Sequence, residues 1–210
     1  MSKSKIEKVI CSQCGKESDI RIWESLNAEM NPKEKQQLLD GTLFKFSCPC
    51  GCSTVIDASL LYHNMTKQTM VYYVSEEAAE DTEKMLNDIR QHDEFGMKDY
   101  NYRIVTSQNA LREKAIILEN DLDDRVVELV KFFLYAYVRD QHPEAKITEV
   151  LFFTDAEKRL IQFLGSEAMT VVIPDGFYEK IHNQYADRLA EVDKKELYID
   201  LMWASLFLKE

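Results

Sequence analysis

Cys48-Pro49-Cys50-Gly51-Cys52, read together with Cys11-Ser12-Gln13-Cys14, decides how the first third of this chain folds. All five cysteines lie in these two stretches, and the 158 residues after Cys52 carry none. Thiols gathered at two points suit one shared tetrahedral ion with four ligands. A C-x-x-C pair at a tight turn supplies two ligands with the right bite. Gly15, after Cys14, lets that turn reverse so that backbone N–H groups point back at sulfur. The second cluster has no C-x-x-C pair. Cys48 with Cys50 is favoured, because Pro49 and Gly51 fall where a knuckle turn wants them. Cys52 is the alternative.

Zinc is the expected metal, one ion per chain, held by Cys11, Cys14, Cys48 and Cys50. Free thiols, a disulfide and an iron–sulfur centre are the competing readings. The start, Met1-Ser2-Lys3-Ser4-Lys5-Ile6-Glu7-Lys8, lacks the apolar core of a secretory signal. A cytoplasmic chain is therefore expected, with reduced cysteines that read as metal ligands. The flanking strands of a ribbon favour zinc over iron. Four thiolates leave no open coordination position, so such a zinc is structural and activates no water.

From Cys11 to about Asn64 the chain resembles the CpXC family, named for two C-P-x-C motifs. Cys11 to Cys14 answers to the first motif and Cys48-Pro49-Cys50-Gly51 to the second. Trp23-Glu24-Ser25, Gly41 and Leu60-Leu61-Tyr62-His63 stand where similar residues stand in that family. Ser12 replaces the first motif's proline, and the second motif is one residue short, which leaves Cys50 and Cys52 both open. The resemblance covers residues 9–75 and fades beyond. It implies a bacterial or archaeal protein and supplies no activity.

Composition sets outer bounds. With 210 residues, 45% apolar and 30% charged, this is an ordinary globular chain able to bury a sizeable core. Nine of the 26 Lys/Arg and eight of the 37 Asp/Glu fall in residues 1–74, leaving 17 and 29 for 75–210. That distribution, about +1 against −12, argues against nucleic-acid binding, which needs clustered cations. A membrane span is not expected either. The most apolar run, Val126 to Val138, is 13 residues and contains Glu128 and Lys131.

The periodicities predict an α+β fold: an N-terminal zinc-ribbon-like antiparallel sheet with an inserted helix (1–74), then helices and an antiparallel meander (75–210). Strands are expected at Ile6–Ile10, Asp19–Ser25, Thr42–Ser47 and Ser53–Leu61, with Thr69–Val74 closing the sheet. Asn31-Pro32-Lys33-Glu34 reads as a capping box opening a helix that ends at Gly41. Ser75–His92 and Ser107–Leu118 read as helices, with 93–102 a loop and Tyr102–Val105 a short strand. Asp123–Gln141 reads as a buried central helix ended by His142-Pro143. Three strands of a meander follow between Glu149 and Ile173, then a helix from Pro174 to about Val192 and a docked apolar tail helix, Leu197–Leu208.

Beyond the cysteines, His63 is a candidate fourth ligand or general base, with Tyr62 and Asn64 setting its turn. His92, His142 and His182 are isolated, and Asp123-Asp124 reads as a helix start. No phosphate loop, dinucleotide fingerprint or nucleophile elbow is present. The leading functional expectation is a protein-interaction or regulatory module. The alternative is an enzyme with a pocket near Tyr62 and His63.

Overall fold

The computed structural model describes residues 2–92, 96–97, 99–192 and 196–209. The loop expected at 93–102 lies partly outside them. The chain divides into two compact units, 1–112 and 113–210. The seam expected near residue 75 falls inside the first.

The first unit is a five-stranded sheet in the order β1-β2-β5-β6-β7, with a separate two-stranded sheet of β3 and β4. β1 (Lys3–Ile10) and β2 (Glu17–Asn27) form a long antiparallel hairpin. α1 (Pro32–Asp40) follows, and β3 (Lys45–Ser47) pairs with β4 (Ser53–Val55) in a second hairpin. β5 (Leu60–Asn64) then returns beside β2 in parallel, and β6 (Thr69–Tyr73) turns back antiparallel. The sheet does not close at β6. α2 (Glu76–His92) crosses over and β7 (Asn101–Val105) joins β6 in parallel, a connection long enough for the crossover that parallel pairing requires.

The strand expected from Ser53 to Leu61 is two strands. Residues 56–59 leave both ladders, so β4 stays with its hairpin while β5 enters the main sheet. α1 begins and ends as expected, but Asn31 makes no side-chain cap. Its Oδ1 instead accepts from the Ser2 hydroxyl. Alternation along the sheet puts Leu26, Tyr62 and Val71, all fully buried, on one face and Asn27, His63 and Met70 on the other.

α3 (Gln108–Glu119) carries the chain from the first unit into the second. There α4 (Asp124–Gln141) packs against α5 (Phe177–Glu191), α6 (Leu201–Phe207) and the first strand of the meander β8 (Ile147–Asp155), β9 (Lys158–Gly165), β10 (Met169–Val172). The Asp123 side chain caps α4 by accepting from the Arg125 N–H. Phe133 stacks on Tyr185, and Tyr185 meets Phe207 edge-on, which ties the three helices together. The tail helix is shorter than expected, because Asp200 caps it at Leu201. The central helix expected to be buried leaves Tyr137 exposed, whereas its Glu128 and Lys131 are buried.

Candidate metal centre

Each hairpin of the first unit ends in a cysteine turn. The last ladder pair of the first is Ile10 with Glu17, and of the second Ser47 with Ser53. Six residues, 11–16, span the first gap and five, 48–52, the second. Both loops close by the same two hydrogen bonds. Cys11 N–H donates to Lys16 O (3.0 Å) and Gly15 N–H to Cys11 O (2.9 Å); Cys48 N–H donates to Cys52 O (2.8 Å) and Gly51 N–H to Cys48 O (2.9 Å). Gly15 and Gly51 have φ of +69° and +95°, which a side chain would strain.

This correspondence separates the two sulfurs left open by the sequence. Cys14 and Cys50 each precede the left-handed glycine, whereas Cys52 takes the place of Lys16, the residue that re-enters the strand. The Sγ atoms of Cys11, Cys14, Cys48 and Cys50 all lie within 4.8 Å of one another. Cys11 faces Cys50 at 3.6 Å and Cys14 faces Cys48 at 3.6 Å. Ligands about 2.3 Å from a tetrahedral zinc stand about 3.8 Å apart, and a disulfide would need about 2 Å. The donor set therefore fits one metal ion and not a pair of disulfides.

Cys11 and Cys48 are buried, Cys14 and Cys50 exposed. Backbone N–H groups of Cys14 and Gln13 aimed at Cys11 hold its thiol down at about 6. The Cys50 N–H draws on Cys48 in the same sense, but burial and the thiols of Cys50, Cys14 and Cys11 push it up to about 12. Thiols this close cannot all ionise without a cation, and a metal displaces their protons.

Neither His63 nor Cys52 belongs to the four-sulfur group. Cys52 Sγ makes a 3.9 Å contact to Ser53 O, and burial, with help from the neighbouring Cys11 and Cys50 thiols, raises its pKa. His63 Nε2 lies 3.4 Å from the Tyr100 hydroxyl, and burial lowers its pKa. A cavity of about 280 Å3 opens beside His63 without Tyr62, which points to the opposite face. A second cavity, about 260 Å3, lies between β2 and the second hairpin, walled by Trp23, Phe44 and Phe46 with Arg21 and Lys45. His92 ends α2, His142 caps α4 and His182 stacks on Tyr178. Among the described residues no helix is long and apolar enough to cross a membrane.

Sequence reading missed a cluster in the second unit. Lys131 Nζ sits 2.8 Å from Glu113 and 2.9 Å from Glu128, and Lys114 Nζ 3.3 Å from Glu128 and 3.0 Å from Asp124. Lys114 also donates to Ile199 O (2.6 Å), and Glu113 accepts from the Phe152 N–H (2.5 Å). The one available signal was Glu128 and Lys131 inside the apolar run of α4.

Neither the curated proteins nor the solved structures include a match to this chain. The family model described as CpXC protein matches residues 9–131, more than half of the chain and well past the stretch carrying both motifs. The chain belongs to the CpXC family.

Proposed function

We propose that this protein binds one zinc ion through Cys11, Cys14, Cys48 and Cys50, that the zinc is structural, and that the unit it fastens presents a surface to a partner protein. The observation that carries this is the closed set of four sulfurs at tetrahedral spacing on two matching turns. Thiolates suit zinc, and with four of them in place the metal keeps no position for water or substrate. Its work is then to clamp two hairpin tips that otherwise share no ladder.

The interaction reading draws support from the cavity of Trp23, Phe44 and Phe46, which lies within the residues matched to the family. Aromatic walls with Arg21 and Lys45 suit a partner segment that offers an apolar side chain beside a carboxylate. Nucleic acid is not proposed as a partner, given the excess of acidic residues. Elemental analysis of the purified chain tests the metal: one zinc per chain is expected, and iron or no metal overturns the reading. Cobalt substitution should give the absorption of a tetrahedral thiolate site. A Trp23→Ala, Lys45→Glu variant that keeps its metal yet still binds the partner would remove the groove from the proposal.

A further inference from the structure

The cavity of about 280 Å3 beside His63 lies on one face of the five-stranded sheet, wholly within the first unit. Strand register builds its floor. Asn27 is paired with His63, His63 with Met70 and Met70 with Tyr102, so four neighbouring strands each give one side chain to a single row. Ile89 of α2 lines it from the helix.

Three features give this cavity a chemistry. Among the described residues no lysine, arginine, aspartate or glutamate lines it. Arg90 lies over the Tyr102 ring and Glu29 acts on His63, but neither is in the lining, so a charged guest would lose its hydration without an ion pair inside. Burial lowers the His63 pKa, which favours the neutral ring. Asn27, only 1% exposed, has its Oδ1 pinned by the backbone N–H groups of Glu29 (3.1 Å) and Met30 (2.9 Å). This fixes the amide's orientation and leaves Nδ2 as a donor. Among the described residues that Nδ2 is a buried donor with no protein partner, an arrangement folded proteins rarely leave unanswered. The volume is nearly twice the ~150 Å3 cavity that admits benzene, so a ring with one polar substituent fits.

We propose that this cavity is a binding site for a small neutral molecule whose carbonyl oxygen accepts from Asn27 Nδ2 and whose apolar body lies against Met70, Tyr102 and Ile89. Neutral amides and ketones are the class that meets both demands. A hydrocarbon of the same shape fills the volume but leaves Nδ2 unanswered. A carboxylate answers Nδ2 but brings an unpaired charge inside. The site stands independently of the metal at the cysteine turns.

The test uses the full metal-loaded chain and three probes: benzamide, toluene and benzoate. Titrations followed by NMR should show benzamide binding at least ten-fold more tightly than either of the others, with contacts from its ring protons to the Met70 methyl group. Ile89→Trp, which fills the cavity from the helix, should abolish benzamide binding. Asn27→Asp keeps the acceptor for Glu29 and Met30 but removes the donor, and should weaken benzamide at least ten-fold. Three results overturn the proposal: no benzamide binding at millimolar concentration, equal affinity for all three probes, or undiminished binding in an Ile89→Trp protein whose melting matches the parent. If either variant fails to fold, the probe ranking and the Met70 contacts in the parent decide alone.

Discussion

In the first unit four thiols converge at the tips of two hairpins, two of them exposed; in the second, Glu113, Lys114, Glu128 and Lys131 are sealed inside, with Asp124 at their edge. Both are clusters of polar groups that cannot stand alone, and they are satisfied in opposite ways. The thiols cannot all ionise unaided, because each ionised sulfur repels the next across the 4.8 Å or less that separates them. The buried charges answer one another. With the proposed zinc, one unit depends on solution conditions that supply a metal, and the other on the integrity of its own side chains.

Removing the metal is the strongest way to break this comparison. Zinc in a tetrathiolate site can contribute ~10 kcal/mol or more to folding of its own module. A strong chelator should expose the amides of β1, β3 and β4 to hydrogen exchange while those of α4 and β9 stay protected. Cys14→Ser should act in the same direction. Equal loss of protection in both units at one chelator concentration would show that the metal's influence is not confined to the first.

The internal cluster comes next in size. Lys131→Met leaves Glu113 and Glu128 buried without their shared cation, which should cost about 3–5 kcal/mol in urea unfolding. Replacing Glu128 by Leu in the same chain should restore part of it. The pH dependence has a definite sign. Burial, with help from the Glu113 charge, holds Glu128 above the ordinary carboxylate range against the pull of Lys131 and Lys114. The folded state then keeps a proton that the unfolded chain has released. Stability should fall as pH rises from about 4.3, the ordinary value, through the raised one, and Glu128→Gln should flatten that slope. Lys131 behaves oppositely. Burial works against its charge, but Glu113 and Glu128 outweigh it and raise its pKa, so its contribution is present below the ordinary lysine value and is lost only in strong alkali.

These two clusters also mark what the sequence could and could not disclose. The thiol turns were legible because cysteine, glycine and spacing leave few alternatives, and α1 because Pro32 and Gly41 bracket it. The meander was legible from its short turns. Pairing between distant strands was not: nothing local tells β5 to lie parallel to β2, or β7 to join β6 across α2. The charge cluster was legible only in part: Glu128 and Lys131 interrupt the apolar run of α4, but Lys114 and Glu113 come from α3, 14 and 18 residues from their partners along the chain. Tyr62 and His63 were read as one site, although adjacent residues of a strand face opposite ways.

His63 tests where the first unit's metal dependence ends. With four sulfurs at tetrahedral spacing the ring is not needed for coordination. His63→Ala should leave the zinc content unchanged and lower stability by ~1 kcal/mol through loss of the Tyr100 contact. Loss of zinc would mean that one of the four sulfurs does not bind. Retained zinc with loss of a measurable turnover would move the protein to the enzyme reading. Metal content and melting temperature, measured beside the parent, separate these outcomes.

The smallest effect is expected at Cys52, and it sharpens the comparison to the two turns themselves. The second turn is one residue shorter than the first, yet both keep the same pair of hydrogen bonds and the same left-handed glycine. The shortening therefore falls between the two ligands, not after them, and Cys52 occupies the strand position that Lys16 holds in the first turn. Its carbonyl closes the loop to Cys48 N–H, which any residue can do, while its sulfur, 3.9 Å from Ser53 O and near Cys11, stands outside the group of four. Cys52→Ser should keep the full metal content and change stability by less than ~0.5 kcal/mol, whereas Cys50→Ser, two residues away, should release the metal. If Cys52→Ser loses zinc and Cys50→Ser keeps it, the ligand follows the glycine instead of preceding it, and the equivalence of the two turns fails.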